Sequence, residues 1–153
     1  MLKKIRSGGQ TGADKAGLLA GQALGLETGG WAPKGWRICL PNGSDGSDPS
    51  LAAFGLKEHD SRDYPPRTKL NVIESDGTVW FGYENSRGGR LTLSTAKAHG
   101  KPTIVNPTAE ELRAWVEQHQ IEELNVAGNR ASDFNPDIFD QTYQTILNAF
   151  IGS

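Results

Sequence analysis

The sequence predicts an α/β fold in which one parallel sheet of about five strands has helices on both of its faces. Three observations lead to this prediction. Short apolar segments alternate with segments of helical periodicity along most of the chain. Turns that contain glycine separate many of these segments, and glycine supplies 19 of the 153 residues. The mass of 16.5 kDa is typical of one domain, so we predict a single domain over residues 1–153.

The first strand is predicted over residues 2–5, and it leads directly into the glycine-rich segment SGGQTGAD at 7–14. The helix that follows is amphipathic, because its small and apolar residues recur at spacings of three and four. Its apolar stripe consists of Ala16, Leu19, Ala20, Ala23 and Leu24. Gly25 is typical of the position that ends a helix, and a second strand is predicted over 27–31.

Residues 36–66 have no strong periodicity and are predicted to form an irregular loop or lid, with its most polar part at 42–50. The alternation then resumes. Thr108 and Glu111 form a capping box, which marks the start of one helix. The remaining predicted elements are a helix over 67–75, strands over 78–81, 102–105 and 123–127, and helices that begin near 91, 108 and 136.

The composition excludes several classes of protein. The 16 Lys and Arg residues against 18 Asp and Glu give a net charge of −2, which argues against a broad nucleic-acid-binding surface. The single Cys39 can form neither an internal disulfide nor a thiolate zinc site alone, and the histidines are far apart. No apolar run approaches the roughly 20 residues of a membrane span. We expect a cytoplasmic protein without a metal site of its own that binds neither nucleic acid nor membranes.

The glycine-rich turns should lie together at one edge of the sheet, because they follow strands that run in parallel. Such a turn exposes backbone N–H groups in front of a helix N-terminus, where an anion is stabilised. The loop after the first strand fits this arrangement through Gly8, Gly9, Gln10, Thr11 and Gly12. The alternative for Thr11 is helix capping, with Asp14 as its capping-box partner.

Cations and further polar residues are expected at the same edge. Arg87 and Arg90 flank the glycine pair of a second loop, and arginine suits bidentate contact with phosphate. A tryptophan could stack on a flat heterocycle and an aspartate could accept hydrogen bonds from it, although each could equally serve packing or a turn. This second group of candidates consists of Trp31, Lys34, Asp76, Arg87, Gly88, Gly89, Arg90, Thr92, Asn129 and Arg130. The edge is therefore expected to bind a small phosphorylated molecule.

Two standard phosphate-binding sequences are missing. Without G-x-x-x-x-G-K-S/T a Walker-type ATPase is disfavoured, and without G-x-G-x-x-G a simple NAD dehydrogenase is disfavoured. Five other segments follow one another along nearly the whole chain: SGGQTGAD (7–14), GGWAPKG (29–35), TKLNVIESDGTV (68–79), GGRLTL (88–93) and NVAGNRAS (125–132). In this order they resemble the molybdenum carrier family and the related molybdenum cofactor carrier proteins, a branch of a Rossmann-like superfamily.

The resemblance implies a Rossmann-like fold, a homo-oligomer (a dimer or a tetramer) and a particular cargo. This cargo is the molybdenum cofactor, or molybdopterin, a phosphorylated pterin that carries a dithiolene-bound metal. The protein would hold and protect this oxidation-sensitive compound without catalysis, with molybdoenzymes as the recipients. By resemblance, the first glycine loop binds the phosphate, and Gly88, Gly89 and Thr92 line the opposite side.

The chain departs from this superfamily at two positions. Arg90 stands where the family commonly has the Thr of Gly-Gly-Thr, and Thr95 stands where the lysine-decarboxylase-like phosphoribohydrolases have their catalytic Glu. Two alternatives to a carrier remain open. One is an enzyme that cleaves nucleoside monophosphates with Asp14, Asp76 or Glu84 as its carboxylate, and the other is a sensor of nucleotides or NAD derivatives.

Overall fold

A computed structural model describes residues 1–152 of the chain. The main sheet contains β1 (Lys4–Arg6), β2 (Glu27–Ala32), β5 (Leu56–Glu58), β6 (Gly77–Phe81), β7 (Thr103–Val105) and β8 (Glu123–Gly128). Its strand order is β5-β2-β1-β8-β6-β7, and every neighbouring pair is parallel. The predicted α/β fold is confirmed, with six strands in the sheet where about five were expected.

Five α-helices cover the two faces of this sheet. They are α1 (Ala13–Ala23), α2 (Tyr64–Ile73), α3 (Arg87–Ala98), α4 (Ala109–Gln118) and α5 (Ile138–Phe150). α5 packs against α1 and α4 on one face, while α2 and α3 pack against each other on the opposite face. The capping box predicted for α4 is present, with Thr108 and Glu111 each accepting a backbone hydrogen bond from the other. Across residues 1–152, every helix is too short or too polar to cross a membrane.

Residues 36–66 contain more regular structure than the sequence indicates. β3 (Arg37–Cys39) and β4 (Asp45–Ser47) form an antiparallel hairpin, a 3-10 helix follows over Pro49–Phe54, and β5 then joins the sheet beside β2. The strands of this segment are short and mostly polar, which explains why the sequence does not reveal them. An apolar cluster holds this segment to α1 and β2, and its members are Leu18, Ala32, Ile38, Leu51 and Leu56.

The central strands β6 and β8 have one apolar and one more polar face. The side chains that enter the main core with α1, α4 and α5 are Val79, Phe81, Leu124 and Val126. Because successive strand residues point to opposite faces, Thr78, Trp80 and Asn125 face α2 and α3. Asn125 Nδ2 donates a hydrogen bond to Thr78 Oγ1 at 3.2 Å within this layer, where both residues are buried. This face of β6 and β8 therefore presents polar groups toward α2 and α3.

Candidate functional site

A cavity of about 460 Å³ opens at the carboxyl edge of the sheet, next to the polar face of β6 and β8. Its lining comes from the loop after β1, from α2, from the beginning of α3 and from the loop after β8. Ligands of open α/β sheets bind at this edge, and the volume lies in the range of small-molecule sites. The cavity is therefore the candidate functional site.

Three residues that line the cavity each carry a buried polar atom that has no hydrogen-bond partner among residues 1–152. These atoms are Tyr64 Oη, Arg67 Nε and Trp80 Nε1. Arg67 is only 8% exposed and Trp80 only 3%. Buried polar groups in folded proteins are almost always paired, because an unpaired one costs about 1–3 kcal/mol. Three such atoms around one cavity indicate a place where a polar ligand completes the hydrogen bonding.

A buried ion pair lines the cavity. Arg67 Nη1 lies 3.5 Å from Asp14 Oδ2, and this oxygen also accepts a hydrogen bond from the backbone N–H of Gln10 at 3.3 Å. Burial raises the pKa of Asp14 from 3.8 to about 6, although the charge of Arg67 opposes this change. Burial also lowers the pKa of Arg67, and Asp14 opposes that change in turn. Burial is thus the dominant influence on the ionisation of both groups.

Gly8 makes room for this ion pair. A Cβ atom at position 8 would overlap with Arg67 Nη1 and would lie 2.9 Å from Asp14 Oδ2. Position 8 therefore requires glycine, because the guanidinium of Arg67 in α2 passes directly beside the loop after β1. Arg67 also lies over the ring of Tyr64, with its Cζ 5.3 Å from the ring centroid.

The side chains of the first glycine loop are engaged within the protein. Gln10 Nε2 donates to the carbonyl oxygen of Arg37 at 3.0 Å, and Gln10 Oε1 accepts from the backbone N–H of Cys39 at 2.9 Å. Thr11 Oγ1 donates to the carbonyl oxygen of Cys39 at 2.8 Å. These bonds attach the hairpin strand β3 to the loop. The alternative capping box of Thr11 and Asp14 does not form, because the N-cap residue of α1 is Gly12.

The structure brings about half of the fifteen candidate residues to the cavity. Those on its lining are Gly8, Gln10, Arg87, Gly88, Thr92, Asn129 and Arg130. Those outside the lining are Gly9, Thr11, Gly12, Trp31, Lys34, Asp76, Gly89 and Arg90. The carboxyl edge is thus shared by the loops after β1, β6 and β8, while the cavity occupies only part of it.

Asp76 is placed wrongly by the sequence analysis. It directly precedes β6 and therefore lies at the amino edge of the sheet, away from the cavity. Its Oδ2 accepts hydrogen bonds from the backbone N–H groups of Glu122 at 3.1 Å and Glu123 at 2.9 Å. The side chain fastens the beginning of β8 to the beginning of β6, which is a structural role.

Trp31 and Lys34 also lie apart from the cavity. Trp31 belongs to β2, and its Nε1 donates a hydrogen bond to Glu74 Oε1 at 2.9 Å. Lys34 is exposed in a short 3-10 helix after β2. Trp31 in β2 and Lys34 just after it lie on the β5 side of the sheet, so the lateral distance across the sheet separates them from the loops after β6 and β8.

The mouth of the cavity is formed by the first turn of α3 and the loop after β8. Ser86 caps α3 by accepting a hydrogen bond from the backbone N–H of Gly89 at 3.1 Å. Gly88 is open toward the cavity, since the only neighbour of a Cβ there would be Trp80, at 3.8 Å. Arg87 and Arg130 line the same mouth and are exposed. Exposed guanidinium groups beside a helix N-terminus are suited to bind phosphate.

Asn129 connects the two loops that form this mouth. Its Oδ1 accepts a hydrogen bond from the backbone N–H of Tyr83 at 2.6 Å, and its Nδ2 donates to Ser86 Oγ at 3.3 Å. Asn135 Nδ2 donates to the same Oδ1 at 3.3 Å. Asn129 therefore holds the two loops in position, in addition to lining the cavity.

The sequence of this chain matches a known family over almost its whole length. The model of the circularly permutated YpsA SLOG family matches residues 5–151. The chain belongs to this family. A crystal structure of the "Putative molybdenum carrier protein" from Syntrophus aciditrophicus SB is 34% identical, with a TM-score of 0.83, and the match covers 99% of this chain and 96% of that one. The resemblance stated from the five sequence segments is therefore confirmed.

A second solved structure is much less similar to this chain. The structure of (E)-4-hydroxy-3-methyl-but-2-enyl diphosphate reductase matches at 18% identity and a TM-score of 0.39, over 82% of this chain and 46% of that one. This similarity is too low to support a conclusion. No protein of curated function matches the chain.

Three cavity residues were missed in the sequence: Tyr64, Arg67 and Trp80. Arg67 begins the helix predicted over 67–75 and looks there like any other basic residue. One signal was present, because Arg67 and Asn71 are spaced i, i+4 on the buried face of α2, where apolar residues are expected. Among residues 1–152, no group of His, Cys, Asp and Glu side chains is arranged to hold a metal ion.

Proposed function

We propose that this protein binds, stores and protects the molybdenum cofactor in the cavity at the carboxyl edge, without catalysing a reaction on it. The cofactor is the cargo, a phosphorylated pterin with a dithiolene-bound metal. The proposal depends on one observation above all, the three unpartnered polar atoms of Tyr64, Arg67 and Trp80 around a single cavity. The 34% identity to a protein named as a molybdenum carrier indicates which class of ligand to expect.

The residues present are compatible with this cargo. The buried N–H groups of Arg67 and Trp80 suit the carbonyl oxygen and ring nitrogens of a pterin, which accept hydrogen bonds. The exposed Arg87 and Arg130, together with the N-terminus of α3, suit its phosphate. A volume of about 460 Å³ is sufficient for a ligand of this size.

The absence of catalysis is part of the proposal. Thr95, which stands at the position of the catalytic Glu of the related hydrolases, lies within α3 and is not among the cavity-lining residues. The proposal also includes a homo-oligomer, dimer or tetramer, in the cytoplasm, which passes its cargo to molybdoenzymes.

The direct test is to purify the protein from a host that makes the cofactor and to measure the pterin released on denaturation by its fluorescence after oxidation. We expect bound pterin, and we expect the protein to slow the decay of added cofactor in air. Loss of both mouth cations in Arg87→Gln/Arg130→Gln should reduce the bound pterin. Arg113→Gln on the exposed surface of α4 is the matched control. Equal decay with and without protein would contradict the proposal.

A nucleotide-cleaving enzyme is the second candidate, and one observation favours it. Of Asp14, Asp76 and Glu84, only Asp14 lines the cavity, and burial raises its pKa to about 6, a value suited to acid–base catalysis. The assay is release of free base from AMP and GMP, with Asp14→Asn as the inactivating variant and Glu84→Gln as its control. If the wild type releases no base, this candidate is eliminated. Binding of adenine nucleotides in preference to pterin phosphates, without cleavage, would instead favour a sensor.

A further inference from the structure

Two residues with an unpaired donor and one carboxylate line the cavity at the ion pair, and together we call them its floor: Arg67, Trp80 and Asp14. Arg67 Nε and Trp80 Nε1 have no partner within residues 1–152. The contacts of Asp14 with Gln10 and Arg67 both use Oδ2, which leaves Oδ1 for another donor. A ligand on this floor is therefore offered two N–H groups and one carboxylate oxygen.

The charges of the cavity determine which end of a ligand reaches the floor. The positive charge of Arg67 is balanced there by Asp14 at 3.5 Å, and both side chains are at least nine-tenths buried. A phosphate dianion on this floor would lose its hydration and would face a carboxylate, which is unfavourable. At the mouth the same phosphate would meet Arg87 and Arg130 in contact with water. The ring should therefore lie inside and the phosphate at the mouth.

We infer that the floor formed by Asp14, Arg67 and Trp80 selects rings with the amino-oxo-pyrimidine edge that pterins and guanine share. Arg67 and Trp80 both donate hydrogen bonds to the carbonyl oxygen, which has two lone pairs. The free oxygen of Asp14, Oδ1, accepts hydrogen bonds from the ring N–H and the amino group. This inference rests on the proposed function and deepens it, because it gives a reason why a pterin would be bound in preference to an adenine nucleotide.

Adenine does not satisfy this floor. It presents an amino group at the position of the carbonyl, so that two N–H donors would face a third donor. Its pyrimidine ring also lacks the N–H that a carboxylate would accept. A site built on buried hydrogen bonds discriminates strongly against an analogue that leaves those groups unpaired.

The experiment measures binding of four separate probes by isothermal titration calorimetry. Guanosine and 6-hydroxymethylpterin test the ring, adenosine is the ring control, and ribose 5-phosphate tests the phosphate alone. We expect guanosine and the pterin to bind at least about tenfold more tightly than adenosine, the ratio that corresponds to about 1.4 kcal/mol. Adding the phosphate, as in GMP, should strengthen binding further through the mouth.

Variants separate the floor from the mouth. Trp80→Phe removes the indole N–H and keeps an aromatic ring, so it should weaken guanosine and pterin binding about three- to tenfold and leave ribose 5-phosphate unchanged. Arg87→Gln should show the reverse pattern. Trp115→Phe, in the main core away from the cavity, is the matched control and should change neither. Arg67→Lys, which keeps the charge beside Asp14 but removes Nε, provides a second test if Trp80→Phe does not fold.

The outcomes distinguish this inference from the proposed function. Equal affinity for guanosine and adenosine, no detectable binding of either ring probe, or guanosine affinity unchanged in both floor variants would each overturn the inference. A pterin that copurifies without ring selectivity would support the carrier function and overturn the role of the floor. Ring selectivity without copurified or protected cofactor would support the floor and contradict the carrier function.

Discussion

Asp14→Asn should alter the pH dependence of stability in a direction opposite to that of an ordinary surface carboxylate. Burial raises the pKa of Asp14 in the folded protein from 3.8 to about 6. Between these pH values the native state holds a proton that the unfolded chain has released. The contribution of Asp14 to stability is therefore fully present below pH 3.8 and is lost as the pH rises through 6.

The size of this effect follows from the change in pKa. A rise from 3.8 to about 6 corresponds to roughly 3 kcal/mol at 1.36 kcal/mol per pKa unit. The amide of the variant does not titrate. The difference between the free energies of unfolding of the variant and of the wild type (variant minus wild type) should therefore rise by about this amount from pH 4 to 7. Between pH 7 and 8 the difference should be constant. The unpaired charge of Arg67 lowers the variant's stability by an amount independent of pH, because a guanidinium stays protonated here.

The measurement is urea denaturation of both proteins at pH 4, 5, 6, 7 and 8, followed by tryptophan fluorescence. Glu111→Gln is a control of opposite sign, because hydrogen bonds from Thr108 lower the pKa of Glu111. Its stabilising contribution is present above the unfolded value of 4.5 and is lost as the pH falls. For Glu111→Gln, the free energy of unfolding of the variant minus that of the wild type should therefore fall with rising pH. A fall of the same quantity for Asp14→Asn would mean that Arg67 keeps the carboxylate ionised in spite of burial, and would contradict the prediction.

Three further changes test the architecture of the site. Gly8→Ala should displace Arg67 from the floor and lower both the Tm and the ring affinity, whereas Gly88→Ala, with no neighbour closer than 3.8 Å, should leave the Tm within a few degrees. Gln10→Ala removes two hydrogen bonds to β3 and should lower the free energy of unfolding, measured by urea denaturation, by about 1–3 kcal/mol. Hydrogen exchange should become faster only in the β3–β4 hairpin, and unchanged exchange there would contradict this role of Gln10. Asp76→Ala removes the acceptor of two backbone N–H groups and should lower the free energy of unfolding by about 1–3 kcal/mol. Ligand affinity should not change, because this side chain lies at the amino edge of the sheet. Loss of binding without loss of stability would contradict that placement.

Several features of the fold follow from local sequence patterns. The strand over residues 78–81 and the capping box of Thr108 and Glu111 are recognisable within a few consecutive residues, and each has its counterpart in the structure. The apolar stripe predicted for α1 is only partly right, because Ala16 and Ala20 are buried whereas Ala23 is exposed. Leu18, which the stripe did not include, is fully buried. The glycine loops after β1, β6 and β8 are at the carboxyl edge as expected, because alternation of strands and helices already implies parallel strands. The edge strand β5 remains hidden, since two of its three residues are charged, whereas the equally short edge strand β7 is recognisable from its apolar residues.

The composition and order of the motifs were sufficient to indicate the α/β class, the family and the edge of the sheet where the cavity lies. The identity of the groups that line this cavity was decided only by tertiary packing. Gln10 and Thr11 lie in the predicted phosphate loop, yet their hydrogen bonds go to β3. Arg67 belongs to a different helix and reaches the floor because α2 packs beside a loop whose Gly8 has no side chain. Hydrogen-bonding partners that are distant in sequence depend on how helices pack across the sheet, and no local pattern of residues encodes that geometry.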